Sequence, residues 1–155
     1  MEIKVRKGIQ QDIPAVLKLI IELATYENAS NEVTNNLEDL ERDGFGTHPF
    51  FRFFISETQG EVAGMALYYI KYSTWKGKCV FLEDLIVSEK FRGKKIGEKL
   101  FEAVIRVSKE LKVKRMEWQV LNWNEPAINF YKKFNAELDG ECINGKLVYD
   151  QIQKF

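Results

Sequence analysis

The chain has 155 residues and is 45% hydrophobic and 30% charged, a balance typical of a folded globular domain and not of a disordered chain. Lysine plus arginine and aspartate plus glutamate both number 23, so no net charge attracts nucleic acid or an anionic membrane. Two cysteines and one histidine argue against a disulfide framework, a metal site and a serine–histidine–aspartate triad. The N-terminus lacks the apolar run of a signal peptide and no stretch is long enough to span a bilayer, which predicts a cytoplasmic protein.

The N-terminal third predicts a strand followed by two helices. Residues 3–6 alternate like a short strand. Asp12 resembles an N-cap, and the apolar stripe that follows it predicts an amphipathic helix. Leu37 and its acidic neighbours predict a second, shorter helix, which Gly44 and Gly46 are expected to end.

The middle of the chain predicts three strands and a helix. The runs 50–55 and 62–70 are separated by a glycine turn and predict a hairpin. Residues 79–87 are nearly all apolar, which is typical of a buried strand, yet they contain the adjacent carboxylates Glu83 and Asp84. Residues 96–111 then follow helical periodicity.

The last third predicts a strand over residues 115–120, a helix over 125–134 and a final strand over 146–152. Helices and strands alternate after the hairpin, so we expect one α/β domain with a mixed sheet, spanning residues 1–155.

A basic turn between the third strand and its following helix predicts an anion site. Arg92, Lys94 and Lys95 supply positive charge, and Gly93 and Gly97 let a ligand approach the main chain. Amide groups at a helix start and the helix dipole favour a phosphate. A simple turn is the alternative, and the glycine spacing matches neither a Walker motif nor a dinucleotide fingerprint.

Leu85-Ile86-Val87 followed by Arg92-Gly93-Lys94-Lys95-Ile96-Gly97 resembles the acetyl-CoA motif of the GCN-five-related N-acetyltransferases. That motif has Arg or Gln, two free positions, Gly, one free position, then Gly or Ala, and Lys95 stands at its usual middle glycine. The segments 23–27, 43–50, 82–84 and 123–132 are similar, in order, to the spermidine/spermine (diamine) N-acetyltransferases of that family.

The resemblance implies a single acyl-CoA N-acyltransferase domain, of α/β (α+β) class, whose mixed, mostly antiparallel, splayed sheet is flanked by helices. It also implies a homodimer, acetyl-CoA as co-substrate and no metal. The residues it implies for cofactor binding are Leu85, Ile86, Val87, Arg92, Gly93, Lys94, Lys95, Ile96, Gly97, Glu98, Asn124, Glu125, Pro126, Ala127 and Tyr131.

Transfer of an acetyl group to an amine needs a proton acceptor and an acid for the leaving thiolate. Glu83 is the candidate base, because a carboxylate in an apolar strand can have a raised pKa; pairing with a lysine is the alternative. Tyr131 is the candidate acid, with aromatic packing beside Phe130 and Phe134 as the alternative. The resemblance favours the catalytic role for Tyr131.

The acceptor implied by the resemblance is a small polycationic amine, such as spermidine, spermine, a diamine or thialysine. Carboxylates in the acidic N-terminal segment suit such a cation, and Trp118 or Trp75 could add a cation–π face. Two other functions stay open: a protein or peptide N-acetyltransferase, and a non-catalytic acyl-CoA sensor. The positions implied for substrate binding are Tyr26, Glu27, Glu83, Glu117, Trp118 and Gln119.

Overall fold

A five-stranded sheet organises the larger part of the chain. The computed structural model describes residues 1–155, which form two compact units, Met1–Gln119 and Val120–Phe155. No helix has the length and apolar composition needed to cross a membrane. The first unit contains β1 (Lys4–Lys7), α1 (Ile13–Tyr26), α2 (Leu37–Phe45), β2 (Arg52–Thr58), β3 (Glu61–Ser73), β4 (Gly77–Val87), α3 (Ile96–Glu110) and β5 (Arg115–Trp118).

The strands lie in the order β1-β2-β3-β4-β5, antiparallel except for the parallel pair β4–β5, so the prediction of a mixed, mostly antiparallel sheet is confirmed. Helices α1 and α2 pack on one face. Helix α3 covers the other, since Gly64 faces Leu100 of α3 while its neighbour Met65 lies in the α1–α2 core. That core contains Ile13, Val16, Leu19, Leu40, Phe53, Ile55, Met65, Leu67 and Ile86.

Strand β4 changes its surroundings midway along its length. Its pairing with β3 has a bulge, because Leu82 lies opposite Tyr68 and Asp84 opposite Leu67, which leaves Glu83 as the extra residue. Its pairing with β5 ends at Leu82. From Glu83 to Val87, β4 therefore has a strand neighbour on one side only, and the predicted splay of the sheet is confirmed.

The ends of α2 and β5 are among the predicted boundaries that differ from the structure. Helix α2 continues through Gly44 and ends at Gly46, whose N–H donates to the Arg42 carbonyl. Gly44 serves packing instead of termination, because a Cβ at this position would lie 2.7 Å from the ring of Phe51. Strand β5 ends at Trp118, two residues earlier than predicted.

The predicted final strand over residues 146–152 is wrong. The second unit contains α4 (Glu125–Lys132) and α5 (Tyr149–Gln153) and no strand. A strand needs a neighbour to satisfy its backbone groups, whereas a helix satisfies them locally. Here the Val148 N–H, just before α5, donates to Oε1 of Gln151 at 3.0 Å.

Candidate active site

The connection from β4 to α3 presents free backbone donors. A 3-10 turn, Glu89–Phe91, follows the strand, and the first intrahelical bond of α3 joins the Lys99 N–H to the Lys95 carbonyl. The N–H groups of residues 96–98 precede that bond, so they have no partner within the helix. With Arg92, Lys94 and Lys95 exposed beside them, they can bind an anion such as a phosphate.

Lys95 has an unusual backbone for its residue type. It is the N-cap of α3 with φ 61° and ψ 18°, in the left-handed region, and its side chain does not cap the helix. Gly93, two residues earlier, has φ 77°. The middle position of the acetyl-CoA motif therefore has a conformation that favours the glycine usual there, and this chain keeps the conformation with lysine.

Arg92 joins this loop to both the strand and helix α1. Its Nε donates to the Val87 carbonyl at 3.1 Å, and its guanidinium carbon lies 5.3 Å from the centroid of the Tyr26 ring. One turn earlier on α1, Oε1 of Glu22 accepts the Glu89 N–H at 2.9 Å. The C-terminal end of α1 thus lies directly against the basic loop.

The unpaired edge of β4 offers main-chain groups to a ligand. The Ser88 N–H donates to the Ala63 carbonyl at 2.8 Å, so Ser88 faces β3. Backbone groups alternate in direction along an antiparallel pair, which turns those of Leu85 and Val87 to the open edge. Such an edge can pair with an amide-containing chain, and its N–H groups can stabilise an oxyanion.

Three carboxylates cluster where this open edge begins. Burial, with a smaller contribution from the negative charges of Glu83 and Glu27, raises the pKa of Asp84 to about 6. Burial also raises the pKa of Glu27. Sequence reasoning identified Glu27 and Glu83 but not Asp84, although a carboxylate pair inside an apolar strand was the available signal.

Glu83 itself has an exposed side chain, because it is the extra residue of the bulge. Burial raises the pKa of Tyr69, and Glu83 adds to that shift by its charge and by a hydrogen bond. No group of three or more His, Cys, Asp or Glu side chains in the chain is arranged to hold a metal ion. The exposed Glu83 can accept a proton from a ligand, while the partly buried Asp84 adds negative charge next to it.

Glu117, a predicted acceptor contact, is already ion-paired. Its carboxylate lies 3.3 Å from Nζ of Lys71 and 3.2 Å from Nε of Arg115. Its side chain is only 24% exposed, so little of it is open to a cation. These contacts favour a role in holding β3 and β5 together over one in substrate binding.

The other predicted aromatic and amide contacts lie at the end of β5 and at the tip of the β3–β4 hairpin. Trp118 lies opposite Leu82, the residue before Glu83 on the neighbouring strand β4. Trp118 packs edge-on against Phe101 of α3 at 5.2 Å between centroids, and Gln119 is exposed just after β5. Trp75 lies at the tip of the β3–β4 hairpin and is 89% exposed. Because a strand rises about 3.4 Å per residue, Trp75 lies about 20 Å along β4 from Glu83.

The second unit supplies the remaining predicted residues on α4. Asn124 is its N-cap, with Oδ1 accepting the Ala127 N–H at 3.3 Å, and Glu125 and Pro126 form its first turn. Tyr131 is 7% exposed, and its ring lies 5.3 Å from that of Phe130 at an interplanar angle of 76°. The packing against Phe130 that was the alternative interpretation of Tyr131 is therefore present.

Comparison with known proteins decides the family. Residues 17–136 match the model of the acetyltransferase (GNAT) family. The chain belongs to that family. It is an N-acetyltransferase of GNAT type, as the motif at Arg92–Gly97 predicted.

The relatives of this GNAT protein are named for small amines. It is 37% identical over 143 residues to thialysine N-epsilon-acetyltransferase of Bos taurus, covering 87% of this chain and 84% of that protein. It is 33% identical over 140 residues to human spermidine/spermine N(1)-acetyltransferase-like protein 1, covering 86% of this chain and 20% of that protein. An integron cassette protein of V. cholerae has the same fold, with a TM-score of 0.80 at 23% identity over 99% of this chain and 97% of that one.

Proposed function

We propose that this GNAT protein transfers acetyl from acetyl-CoA to a primary amine of a small polycation, such as thialysine, a diamine, spermidine or spermine. The observation that carries the proposal is the unpaired edge of β4, which has carboxylates at one end and the basic turn at the other. Glu83 and Val87 are four residues apart, or about 13 Å along a strand. That length suits a ligand whose acyl end lies near the carboxylates and whose phosphates lie near the turn.

The proposed acetyl-CoA site uses main-chain groups first. The N–H groups of residues 96–98 would hold phosphate oxygens, and the outward groups of Leu85 and the Val87 N–H would pair with the amide-containing arm. Arg92 and Lys94 would add charge. Bound acetyl-CoA supplies the activated acetyl group as a thioester. Asn124 and the first turn of α4 complete the proposed set, on the strength of the family resemblance.

The proposed acceptor site is the carboxylate cluster Glu27, Glu83 and Asp84. An alkyl amine has a pKa near about 10.4 and is cationic at neutral pH, so negative charge attracts it. The same amine must lose a proton before it attacks. Glu83 is exposed and is the proposed acceptor of that proton, directly or through a water molecule. Tyr26 beside Glu27 is proposed to contact the same amine.

The proposed transfer is a direct attack. The amine nitrogen bonds to the thioester carbonyl carbon, the carbonyl oxygen takes negative charge, and the outward main-chain N–H groups of Leu85 and Val87 stabilise it. The carbon–sulfur bond then breaks. Glu83 takes one proton from the ammonium before the attack, and the hydroxyl of Tyr131 donates its proton to the leaving sulfur. The second proton, which the nitrogen loses as the amide forms, returns Tyr131 to its neutral form through water. The proposal includes one domain over residues 1–155, since the family match at 17–136 spans both compact units, and a homodimer.

Thiol release from acetyl-CoA, measured with a panel of amines, tests this proposal. The panel is thialysine, putrescine, spermidine, spermine, free lysine and a lysine peptide. We expect turnover with the small polycations and little with the peptide. Preference for the peptide would favour a protein acetyltransferase, and tight acetyl-CoA binding without turnover on any amine would indicate a sensor.

A further inference from the structure

Two side chains of helix α1 contact the basic loop from positions one turn apart. Glu22 accepts the Glu89 N–H, and the Tyr26 ring lies against the Arg92 guanidinium at 5.3 Å. Residues four apart share one face of a helix, so both contacts come from the same side of α1. The loop is therefore fixed by α1 as well as by the strand that leads into it.

Arg92 is also held from the strand side. Its Nε donates to the Val87 carbonyl, which uses one of its five N–H donors. The Tyr26 ring lies against the guanidinium and restricts its motion, and the four N–H groups of the two terminal nitrogens remain for a bidentate anion. A guanidinium group that is free to rotate binds an anion less tightly, because ordering it then costs entropy on binding.

We propose that Tyr26 is a positioning residue for acetyl-CoA, which holds Arg92 in the orientation that binds the cofactor phosphates. This inference rests on the proposed function, because it needs Arg92 to bind acetyl-CoA. It differs from the acceptor role of Tyr26, which predicts an effect on the amine alone. Tyr26 is 39% exposed, so its ring can be truncated without opening the hydrophobic core.

The test compares Tyr26→Leu with Tyr26→Phe, using acetyl-CoA affinity and the separate KM values for acetyl-CoA and amine. A cation–π contact at an exposed site is weak, so Tyr26→Leu should weaken acetyl-CoA binding about two- to five-fold, with a matching rise in KM for acetyl-CoA. Tyr26→Phe keeps the ring and should retain the wild-type affinity. Tyr72→Leu, at a tyrosine that is 71% exposed on β3, is the matched control and should change neither value.

A double-mutant cycle with Arg92→Gln tests the route through arginine. If Tyr26 acts through Arg92, Tyr26→Leu should weaken acetyl-CoA binding no further in the Arg92→Gln background. An unchanged acetyl-CoA affinity in Tyr26→Leu, a change confined to the KM for amine, or an equal loss in both backgrounds would overturn the inference. Failure of the wild-type protein to bind acetyl-CoA would instead overturn the proposed function.

Discussion

Replacing Lys95, the N-cap of α3, with glycine should stabilise the protein. Lys95 has φ 61°, a conformation that costs an L-residue about 1–2 kcal/mol. Glycine removes that cost but adds about 0.4–1 kcal/mol of unfolded-chain entropy. The midpoints of these two ranges differ by about 0.8 kcal/mol, which is the expected net gain in the free energy of unfolding. For a chain of this length, that corresponds to a rise in Tm of about 1–4 °C.

Thermal unfolding followed by circular dichroism measures this change, with Lys94→Gly as the matched control. Lys94 is the preceding lysine of the same turn and has no left-handed backbone, so its replacement removes a similar charge without relieving strain. Lys94→Gly should lower Tm while Lys95→Gly raises it. A fall in Tm for Lys95→Gly, or an equal change in both variants, would refute the argument from backbone strain.

Three further predictions concern single side chains. Asp84→Asn should raise Tm at pH 7.5, because burial raises the pKa of Asp84 from 3.8 to about 6. The folded state therefore binds this proton more tightly than the unfolded state, and the wild-type protein loses stability as pH rises through that interval. The difference in Tm from wild type should shrink as pH falls toward 4, and a pH-independent difference would contradict the prediction. Gly44→Ala should destabilise the protein by about 1–3 kcal/mol through overpacking against Phe51, whereas Gly140→Ala, with open space around it, should have little effect; equal unfolding midpoints in urea would refute this. Tyr131→Phe should lower kcat strongly while acetyl-CoA still binds, and a kcat near that of wild type in a thiol-release assay would remove Tyr131 from the mechanism.

Local sequence patterns predicted the elements that form the basic turn. The helical period after Ile96 and the apolar run before Ser88 both reflect short-range regularities, so β4 and α3 were predicted with small errors at their ends. The final strand was wrong because strand formation depends on a distant partner. A short apolar run such as residues 147–149 carries no information on whether such a partner exists.

The carboxylates show why the site was less predictable than the fold. Glu83 and Asp84 were recognised as unusual, but the bulge in β4 decides that Glu83 is exposed and Asp84 is desolvated. The ion pair between Glu117 on β5 and Lys71 on β3 likewise depends on two strand registers, that of β3 with β4 and that of β4 with β5. Tyr26 and Arg92 are separated by 66 positions in the sequence, and no local pattern predicts that they meet.

The most direct test of the central claim follows both products of the reaction at once. Purified protein, acetyl-CoA and thialysine or a diamine are incubated, free thiol is measured, and the amine is analysed by mass spectrometry. The account predicts one acetylated amine for each thiol released, with both signals reduced together in Glu83→Gln and Tyr131→Phe. Thiol release without acetylated amine, or no thiol release from an acetyl-CoA complex with any small polycation, would contradict it.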